Sequence, residues 1–246
     1  ITGRWVQHIW KWIEKTYLPK MKNMIAASDS YADWFVKEYQ IKRPVVVRNL
    51  PKRQKVEVIN SSGKKIILYQ GWLNYSRGID KAIMAMQHID NAILKIAGGG
   101  PMEHEFKAIA QQYNVIDKVE FLGKLTPSEL RKITPTADCG LSIEENKGLS
   151  YYYSLPNKIS DYIQARVPVV VSKFPEMENI VTTFEVGEMI TNHDPKHLAD
   201  QINKVLNNGK SFYENQLNKA AEVLCWEEEE LKLMSVFKNL KKKKAS

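Results

Sequence analysis

From Lys65 onward the sequence alternates short apolar runs, rich in β-branched residues, with segments of helical periodicity. Six runs are candidate strands: Ile66–Gln70, Ile93–Ala97, Val119–Leu122, Cys139–Ile143, Val167–Ser172 and Val186–Ile190. They are too apolar to have one wet face, which is typical of parallel strands covered on both sides. Strands alternating with helices in this way predict an α/β fold, one doubly wound parallel sheet over residues 65–225.

The helical segments between these runs carry recognisable start signals. Ile79, Ala82, Ile83 and Met86 follow the spacing of one apolar helix stripe. Thr126-Pro127-Ser128-Glu129 supplies an N-cap, a proline at the first helical position and a glutamate at the third, which together make a capping box. Asp194-Pro195 repeats the cap and proline before another apolar stripe.

Both ends of the chain fall outside this alternation. Residues 1–64 hold a Trp-rich helix, a second helix over Ser30–Tyr39 and a polar stretch, Lys52–Lys64, that is either a hairpin turn or a linker. Residues 226–246 predict an amphipathic helix that ends in a basic tail, most simply a solvated one. The chain opens at Ile1 without an initiator Met or a signal-peptide pattern, so we expect it to be part of a longer protein.

Composition excludes several classes of protein. No apolar run approaches the ~20 residues that cross a bilayer. The two cysteines are too few for a disulfide scaffold and fit a reducing compartment, so we expect a cytoplasmic protein. The net charge is +8, from 36 Lys and Arg against 28 Asp and Glu, yet the central section mixes both signs, so we expect no nucleic-acid partner.

The Trp-rich helix near the start has two interpretations. Trp5, Trp10 and Trp12 stand among Arg4, Lys11, Lys15, Lys20 and Lys22. Basic residues mixed with Trp can lay a helix on an anionic membrane, which would place the protein peripherally at the inner face of the cell membrane. Alternatively, the Trp side chains pack against protein, including protein beyond this chain.

Ligands of doubly wound sheets bind beyond the carboxyl ends of the strands. After the first strand, Gly71 and Gly78 flank Arg77, so backbone N–H groups and a fixed cation can face an anion. Gly98-Gly99-Gly100 follows the second strand, and Gly123-Lys124-Leu125, short enough to wall one side of a planar base, follows the third. Plain turns remain the alternative for all three loops.

The fourth loop is the longest, from Glu144 and Glu145 to a helix that carries Asp161. Ser154 as cap and Pro156 in the first turn would leave free N–H groups at the start of this helix, beside Leu155 and Asn157. Lys158 and Asp161 are three residues apart and share a helix face. They form either a surface ion pair or a grip on a phosphate and a ribose diol.

A dinucleotide-binding dehydrogenase is a weak alternative. Gly98 and Gly100 match the fingerprint only in part, because Glu103 stands where it needs a third glycine. Glu120 at the next strand could imitate the acidic ribose ligand, but the glycines follow the second strand rather than the first.

At these residues the chain resembles the retaining glycosyltransferases of family four. The stretches that carry the resemblance are Tyr69-Gln70-Gly71 with Arg77-Gly78, Lys95–Pro101, Val119–Gly123, Leu155-Pro156-Asn157-Lys158 with Asp161-Tyr162, and Val167–Val170. The resemblance implies the Rossmann-like carboxy-terminal half of a GT-B fold, with residues 1–64 as a remnant of the amino-terminal domain and interdomain linker. It also implies that residues 226–246 form the crossover helix and tail.

The same resemblance implies roles for individual residues. Arg77 and Lys158 would stabilise the donor diphosphate during catalysis. Gly71, Gly78, Gly99, Gly100, Gly123, Leu155 and Asn157 would line the donor site, Asp161 would bind the ribose, and Glu145, with Glu144 as the alternative, would stand for the first glutamate of the family's pair. Three positions depart from the family: Trp72 replaces an arginine, Arg166 replaces a glycine, and Tyr153 occupies the usual place of that first glutamate.

The resemblance implies sugar transfer from a nucleotide-sugar to a glycan or lipid-linked acceptor, with retention, as in polysaccharide biosynthesis. We expect no cofactor and no metal, because the donor loops contain no Asp-x-Asp pair and cations are available. Residues 1–64 are too few for an acceptor domain, so we expect this chain to bind nucleotide but transfer little alone. The alternative is a non-catalytic nucleotide-binding α/β module.

Overall fold

A computed structural model describes residues 3–56 and 63–242. Residues 57–62 of the predicted linker and 243–246 of the predicted basic tail lie outside the described residues, as do the side chains of Arg4 and of residues 239–242. The chain divides into two compact units, Leu50–Glu228 and Ile1–Asn49 with Glu229–Ser246.

The larger unit is built on a six-stranded sheet in which every pairing is parallel. Its strands are β3 (Lys65–Gln70), β4 (Ala92–Ala97), β5 (Val119–Gly123), β6 (Cys139–Ser142), β7 (Val169–Ser172) and β8 (Gly187–Ile190). The spatial order β5-β4-β3-β6-β7-β8 reverses direction between β3 and β6. This order confirms the predicted doubly wound sheet and puts its topological switch point at β3 and β6.

Helices connect the strands and bury apolar stripes against the sheet. They are α3 (Ile79–Ala85), α4 (Glu103–Gln112), α5 (Pro127–Ile133), α6 (Leu149–Tyr152), α7 (Asn157–Gln164), α8 (Pro175–Phe184), α9 (Pro195–Asn208) and α10 (Lys210–Val223). Short 3₁₀ turns span Met86–His88, Ile116–Lys118 and Thr134–Thr136. The predicted start signals are confirmed: Thr126 and Glu129 form the capping box of α5, and Asp194 accepts a hydrogen bond from the His197 amide.

All six predicted strands are present, with bounds shifted by one or two residues. The largest shift is at β7, which begins at Val169 rather than Val167. Pro168 has no N–H to donate to a ladder, and the Val167 amide donates instead to the Tyr162 carbonyl. The apolar strand residues form one continuous core, in which Ile67, Leu94 and Val170 are fully buried.

Tyr162 joins α7 to the two strands at the switch point. Its hydroxyl donates to the Leu68 carbonyl at 3.0 Å and accepts from the Gln70 amide at 3.1 Å. A Cβ at Gly140 of β6 would lie 2.5 Å from the Tyr162 ring, so glycine there makes room for it. The tyrosine thereby bonds to β3 backbone groups at the end of the short β3–β6 ladder, Leu68, and beyond it, Gln70, and holds α7 against the sheet.

The smaller unit contains α1 (Arg4–Tyr17), a 3₁₀ turn (Leu18–Lys20), β1 (Ile25–Ala26), α2 (Asp29–Tyr39) and β2 (Val45–Val46). The two short strands pair in parallel, and the Ser28 side chain caps α2. The last helix, α11 (Trp226–Lys242), begins in the larger unit and continues into the smaller one. None of the helices in the described ranges is long and apolar enough to span a membrane.

Candidate active site

The loops after β3 and β6 meet at the switch point, where doubly wound folds bind their ligands. Between them lies a cavity of about 600 Å³, which we call the switch-point cavity. Its lining residues are Tyr69, Gln70, Gly71, Trp72, Arg77, Leu130, Ser150, Tyr151, Ser154, Leu155, Pro156, Asn157, Lys158 and Asp161. The structure therefore brings together six predicted site residues: Gly71, Arg77, Leu155, Asn157, Lys158 and Asp161.

Two cations of this cavity share one buried carboxylate. Lys158 Nζ donates to Glu144 Oε1 at 2.8 Å, and an Arg77 guanidinium nitrogen lies 3.5 Å from the same oxygen. Ser142 donates to Glu144 Oε2 at 2.9 Å. The Glu144 side chain is fully buried, whereas Arg77 keeps about a third of its side-chain surface exposed. Two cations against one carboxylate leave this three-residue cluster with one net positive charge.

The charges of Glu144 and Lys158 stabilise each other. Burial by itself would raise the pKa of Glu144, but the charge and hydrogen bond of Lys158, with the bond from Ser142, offset burial and hold that pKa below its usual value. Burial likewise would lower the pKa of Lys158, and the Glu144 carboxylate raises it above its usual value instead. Both groups are therefore charged at neutral pH.

An aromatic ring lies close to each of the two cations. Lys158 Nζ lies 4.3 Å from the centre of the Tyr69 ring, and the Arg77 guanidinium lies 5.3 Å from that of Tyr151. Both distances are within the range of cation–π attraction. Lys158 is thus held by an ion pair, a hydrogen bond and a ring contact, and Arg77 by an ion pair and a ring contact.

Asp161 lies on the same face of α7 and is held by a separate relay. Thr134 donates to Gln70 Oε1 at 2.9 Å, and Gln70 Nε2 donates to Asp161 Oδ2 at 3.3 Å. Burial raises the pKa of Asp161, and the bond from Gln70 opposes that rise only in part. No bond joins Lys158 to Asp161 among the described contacts, so the surface ion pair considered from the sequence is not the arrangement found.

The start of α7 differs from the prediction. The helix begins at Asn157, Pro156 stands just before it, and no described side chain caps it. Ser154, the predicted cap, donates instead to the Tyr151 carbonyl at 3.1 Å. The prediction was wrong because Pro156 directs the chain in an extended conformation between Ser154 and the helix. The N–H groups at the start of α7 open beside Lys158.

The predicted glycines serve in different ways. Gly71 and Gly99 line a second, smaller cavity of about 190 Å³, which we call the glycine cleft. Its other lining residues are Trp72, Ala97, Gly98, Lys124, Leu125 and Leu130. Gly100 packs against the Leu73 backbone, and the Gly123 carbonyl accepts from the Gly98 amide. These two glycines shape the loops rather than line the described cavities.

Gly78 has a structural role at the start of α3. Its φ of 71° is left-handed, and a Cβ there would lie 2.2 Å from the Ile143 carbonyl oxygen. No side chain fits that position without a shift of the backbone. Gly78 therefore lets the loop after β3 approach the loop after β6.

Glu145 was predicted to face the donor, and the structure places Glu144 in the cluster instead. The Glu145 carboxylate pairs with Lys147 at 3.2 Å, and its amide donates to the Ser76 carbonyl. Side chains of consecutive residues leave an extended backbone on opposite sides, so only one of the two glutamates can point to Lys158.

Two departures from the family pattern have clear placements. Trp72 lines both cavities and is 56% exposed. Arg166 adopts the left-handed φ of 60° that a glycine would favour, and its guanidinium bonds to Asn218 and to the Gln164 carbonyl. Arginine therefore keeps the glycine-like turn and adds hydrogen bonds that hold it.

Gln70 and Tyr69 had no predicted role in the site. Gln70 was predicted as the end of a strand and quoted in the resemblance, although a polar residue that ends an apolar strand at the carboxyl edge could have indicated a site residue. Tyr69 was quoted in the resemblance without a role, and its position under Lys158 depends on tertiary packing. Among the described residues, no group of three or more His, Cys, Asp or Glu could hold a metal ion.

Comparison with known proteins identifies the family. The family model for glycosyl transferases group 1 matches residues 51–223, which is most of the chain. The chain belongs to the glycosyl transferases group 1 family. This membership confirms, at the level of the family, the resemblance drawn from the loops.

The curated relatives of the chain are longer than the chain itself. An uncharacterized glycosyltransferase of Methanocaldococcus jannaschii is 29% identical over 77% of this chain and 50% of its own length. The alpha-monoglucosyldiacylglycerol synthase of Streptococcus pneumoniae is 25% identical over 61% of this chain and 34% of its own length. The chain thus spans about half, or less, of these relatives.

Solved structures confirm the fold. Sucrose-phosphate synthase from Thermosynechococcus elongatus superposes with a TM-score of 0.76 at 19% identity, covering 98% of this chain and 64% of that one. HepE of Anabaena, solved in complex with UDP, gives a TM-score of 0.78 at 12% identity over 93% and 67% of the two chains. The likeness confirms the Rossmann-like fold predicted for one half of a GT-B enzyme.

Proposed function

We propose that this glycosyltransferase binds a nucleotide-sugar at the switch-point cavity and transfers the sugar to a glycan or lipid-linked acceptor. The observation that carries the proposal is the convergence of Arg77, Lys158 and Asp161 on one cavity at the switch point. The proposal further includes retention of configuration at the transferred sugar and independence from a metal ion.

The positive side of the cavity suits a diphosphate. Cleavage of a sugar–phosphate bond leaves negative charge on the nucleoside diphosphate, and charge is best stabilised by donors fixed in advance. Arg77 offers a planar fork of N–H groups, Lys158 a point charge, and the start of α7 free amides. Because Glu144 fixes both cations before the ligand arrives, little reorganisation is required.

Asp161 suits the ribose. A carboxylate can accept hydrogen bonds from both hydroxyls of a diol, and among the described contacts Gln70 bonds only to Oδ2 of Asp161. Arg77, Lys158 and the α7 amides supply the electrophilic assistance that a metal ion gives in other transferases, which is the basis for proposing metal independence. The proposal of retention follows the family resemblance, and the anomeric configuration of the product, read by NMR, tests it.

The names of relatives support the acceptor class. One matched relative is the alpha-monoglucosyldiacylglycerol synthase, and another is the chitobiosyldiphosphodolichol beta-mannosyltransferase of Candida albicans, 31% identical over 41% of this chain and 21% of its own length. Both names describe lipid or lipid-linked acceptors. We propose the same class here.

Calorimetric titration with UDP, GDP and ADP tests the donor site. We expect one of the three to bind the wild-type chain, and Arg77→Ala to weaken that binding about 10- to 100-fold, the worth of one charge-assisted hydrogen bond. Lys147→Ala removes an exposed cation paired with Glu145 and should leave the affinity unchanged. Equal affinity for wild type and Arg77→Ala would refute the assigned diphosphate site.

Binding and turnover of the nucleotide-sugar distinguish a transferase from a non-catalytic nucleotide-binding module. If the protein is a transferase, a longer protein that contains this chain, of the length of its relatives, consumes the sugar conjugate of the preferred nucleotide when an acceptor is supplied. A module would bind the nucleotide and its sugar conjugate with the same affinity and turn over neither.

We also propose peripheral contact between α1 and an anionic membrane. Trp5, Ile9 and Trp12 follow i, i+4, i+7 spacing and are 46–70% exposed, while exposed Lys11 and Lys15 lie on the flank of the helix. Vesicles containing anionic lipid should sediment the chain, and Trp5→Ala with Trp12→Ala should abolish this. Equal binding to neutral vesicles, or none to either, would contradict the proposal and favour packing of this face against protein.

A further inference from the structure

Trp72 is an exposed aromatic side chain on a rigid loop. Its own carbonyl accepts from the Tyr69 hydroxyl at 3.1 Å. On either side, the Gly71 amide donates to the Ala97 carbonyl at 2.9 Å and the Leu73 amide donates to the Gly99 carbonyl at 3.1 Å. Leu73 is fully buried, yet Trp72 leaves 56% of its surface in solvent.

This side chain stands where the two cavities adjoin. Gly71, Trp72 and Leu130 line both the switch-point cavity and the glycine cleft. The cations and Asp161 belong to the first cavity, whereas the cleft is walled by glycine backbone and leucine side chains, with Lys124 as its one charged lining residue. A charged group is therefore favoured in the first cavity, and an uncharged, flat group in the second.

Resting on the proposed donor site, we infer that Trp72 is a stacking platform for the nucleobase of the donor. With the diphosphate at Arg77 and Lys158 and the ribose at Asp161, the base can enter the cleft, where Gly99 has no side chain to obstruct a planar ring. Every base offers a π face to an aromatic side chain, so this contact adds affinity without selecting one base. Discrimination between bases then falls to the backbone groups of the cleft.

By this inference, Trp72 contacts the base of the donor, whereas an arginine at the same position would contact a phosphate. An arginine at this position in the family would add a phosphate contact, and tryptophan has no charge to offer a phosphate. The inference assigns donor affinity at Trp72 to the base, which makes it separable by experiment from the contribution of Arg77.

The experiment compares the preferred nucleoside diphosphate with inorganic pyrophosphate, which has no base. We expect Trp72→Ala to weaken the nucleoside diphosphate about 5- to 150-fold, the effect of removing one stacked aromatic, and to leave pyrophosphate binding unchanged. Trp72→Phe should retain most of the affinity. Binding should also quench tryptophan fluorescence in the wild type and lose that quenching in Trp72→Phe.

Tyr75→Ala is the matched control. Tyr75 is 63% exposed in the same loop, and its hydroxyl lies 3.3 Å from the Glu105 carboxylate. The Tyr75→Ala variant should bind nucleotide with the same affinity as the wild type.

Three results would overturn the inference. They are equal affinity of wild type and Trp72→Ala for nucleotide, an equal loss for nucleotide and pyrophosphate, or quenching that persists in Trp72→Phe. Failure of the wild type to bind any of UDP, GDP and ADP would overturn the donor site itself, and with it this inference.

Discussion

The Lys158 ammonium lies 2.8 Å from the Glu144 carboxylate, and the Glu144 side chain is fully buried. The two residues come from different elements, α7 and the loop after β6, so their contact closes one wall of the switch-point cavity. A buried pair of this kind has little net stabilising effect compared with apolar residues, but removing one partner leaves an uncompensated charge. Its value here is to fix a cation in place for a ligand.

Glu144→Gln should destabilise the protein by about 3–5 kcal/mol, because Lys158 would stay buried without its counter-charge. Denaturation in urea measures the loss. The double variant Glu144→Gln, Lys158→Met should recover a large part of it, since no lone charge remains. Glu145→Gln, which breaks only the pair with Lys147, should change the free energy of unfolding by less than about 1 kcal/mol. Additive losses in the double variant would show that the pair is not coupled.

Acid should weaken the fold partly through Glu144. Its pKa is lower in the folded protein than in the unfolded chain, so its contribution is present above the unfolded value of about 4.3 and is lost as the pH falls through the folded value. The unfolding free energy of Glu144→Gln should therefore fall less steeply than that of the wild type on acidification. Parallel curves would contradict the lowered pKa.

Nucleotide affinity should fall on acidification because of Asp161. Its pKa is raised by burial, so it becomes protonated at a pH above the usual value near 3.9 and then accepts fewer hydrogen bonds from the ribose. Titrations between about pH 7 and pH 4.5 should show a larger loss in the wild type than in Asp161→Asn, in which only the terminal phosphate of the ligand, with a pKa of ~6, is protonated over this range. Gln70→Met removes the bond that lowers this pKa and should move the loss to higher pH. A loss that is the same in Asp161→Asn would assign it to another group.

Gly78→Ala and Gly123→Ala separate backbone strain from steric contact. The two glycines have nearly the same φ, 71° and 67°, but only at Gly78 would a Cβ meet a neighbour. Both changes should cost about 1–2 kcal/mol for the left-handed conformation. Gly78→Ala should cost ~1–3 kcal/mol more, from its contact with the Ile143 carbonyl. Equal unfolding free energies for the two variants would contradict that contact.

Tyr162→Phe should loosen the switch point. It removes the hydroxyl that bonds to the Leu68 carbonyl and the Gln70 amide, and leaving these buried groups unpaired costs ~1–3 kcal/mol. Hydrogen exchange at the Gln70 amide should speed up more than at the Leu94 amide in the neighbouring strand. Tyr213→Phe, which removes a hydroxyl bonded only to the Asn208 side chain among the described contacts, should leave both rates unchanged.

Much of the candidate site could be predicted from the sequence because it lies in loops next to strands. Strand ends are marked by the change from apolar runs to glycine, and parallel topology sends all those ends to one edge. Arg77, Lys158 and Asp161 could therefore be placed together from chain position alone. Helix caps were equally local signals, and the capping box at Thr126 depends on side chains three residues apart.

The choice between Glu144 and Glu145 could not be made in this way. It depends on which side of the backbone faces Lys158 once α7 has been fixed by Tyr162, and that contact joins residues far apart in the chain. The failed Ser154 cap has a similar cause, since the conformation of Pro156 and the bond to Tyr151 compete with capping. Gln70 gained its role only from Thr134 and Asp161 on two other elements.

Local sequence signals were enough to predict the doubly wound sheet, the positions of its loops and the residue types that could meet a phosphate, because periodicity, capping and turn chemistry act over a few residues. Three features became apparent only in the folded chain: which glutamate balances the two cations, what holds Asp161, and that Trp72 stands exposed where two cavities adjoin. Those outcomes depend on burial and on contacts between distant segments, and burial sets both the pKa of a carboxyl and the exposure of an aromatic ring.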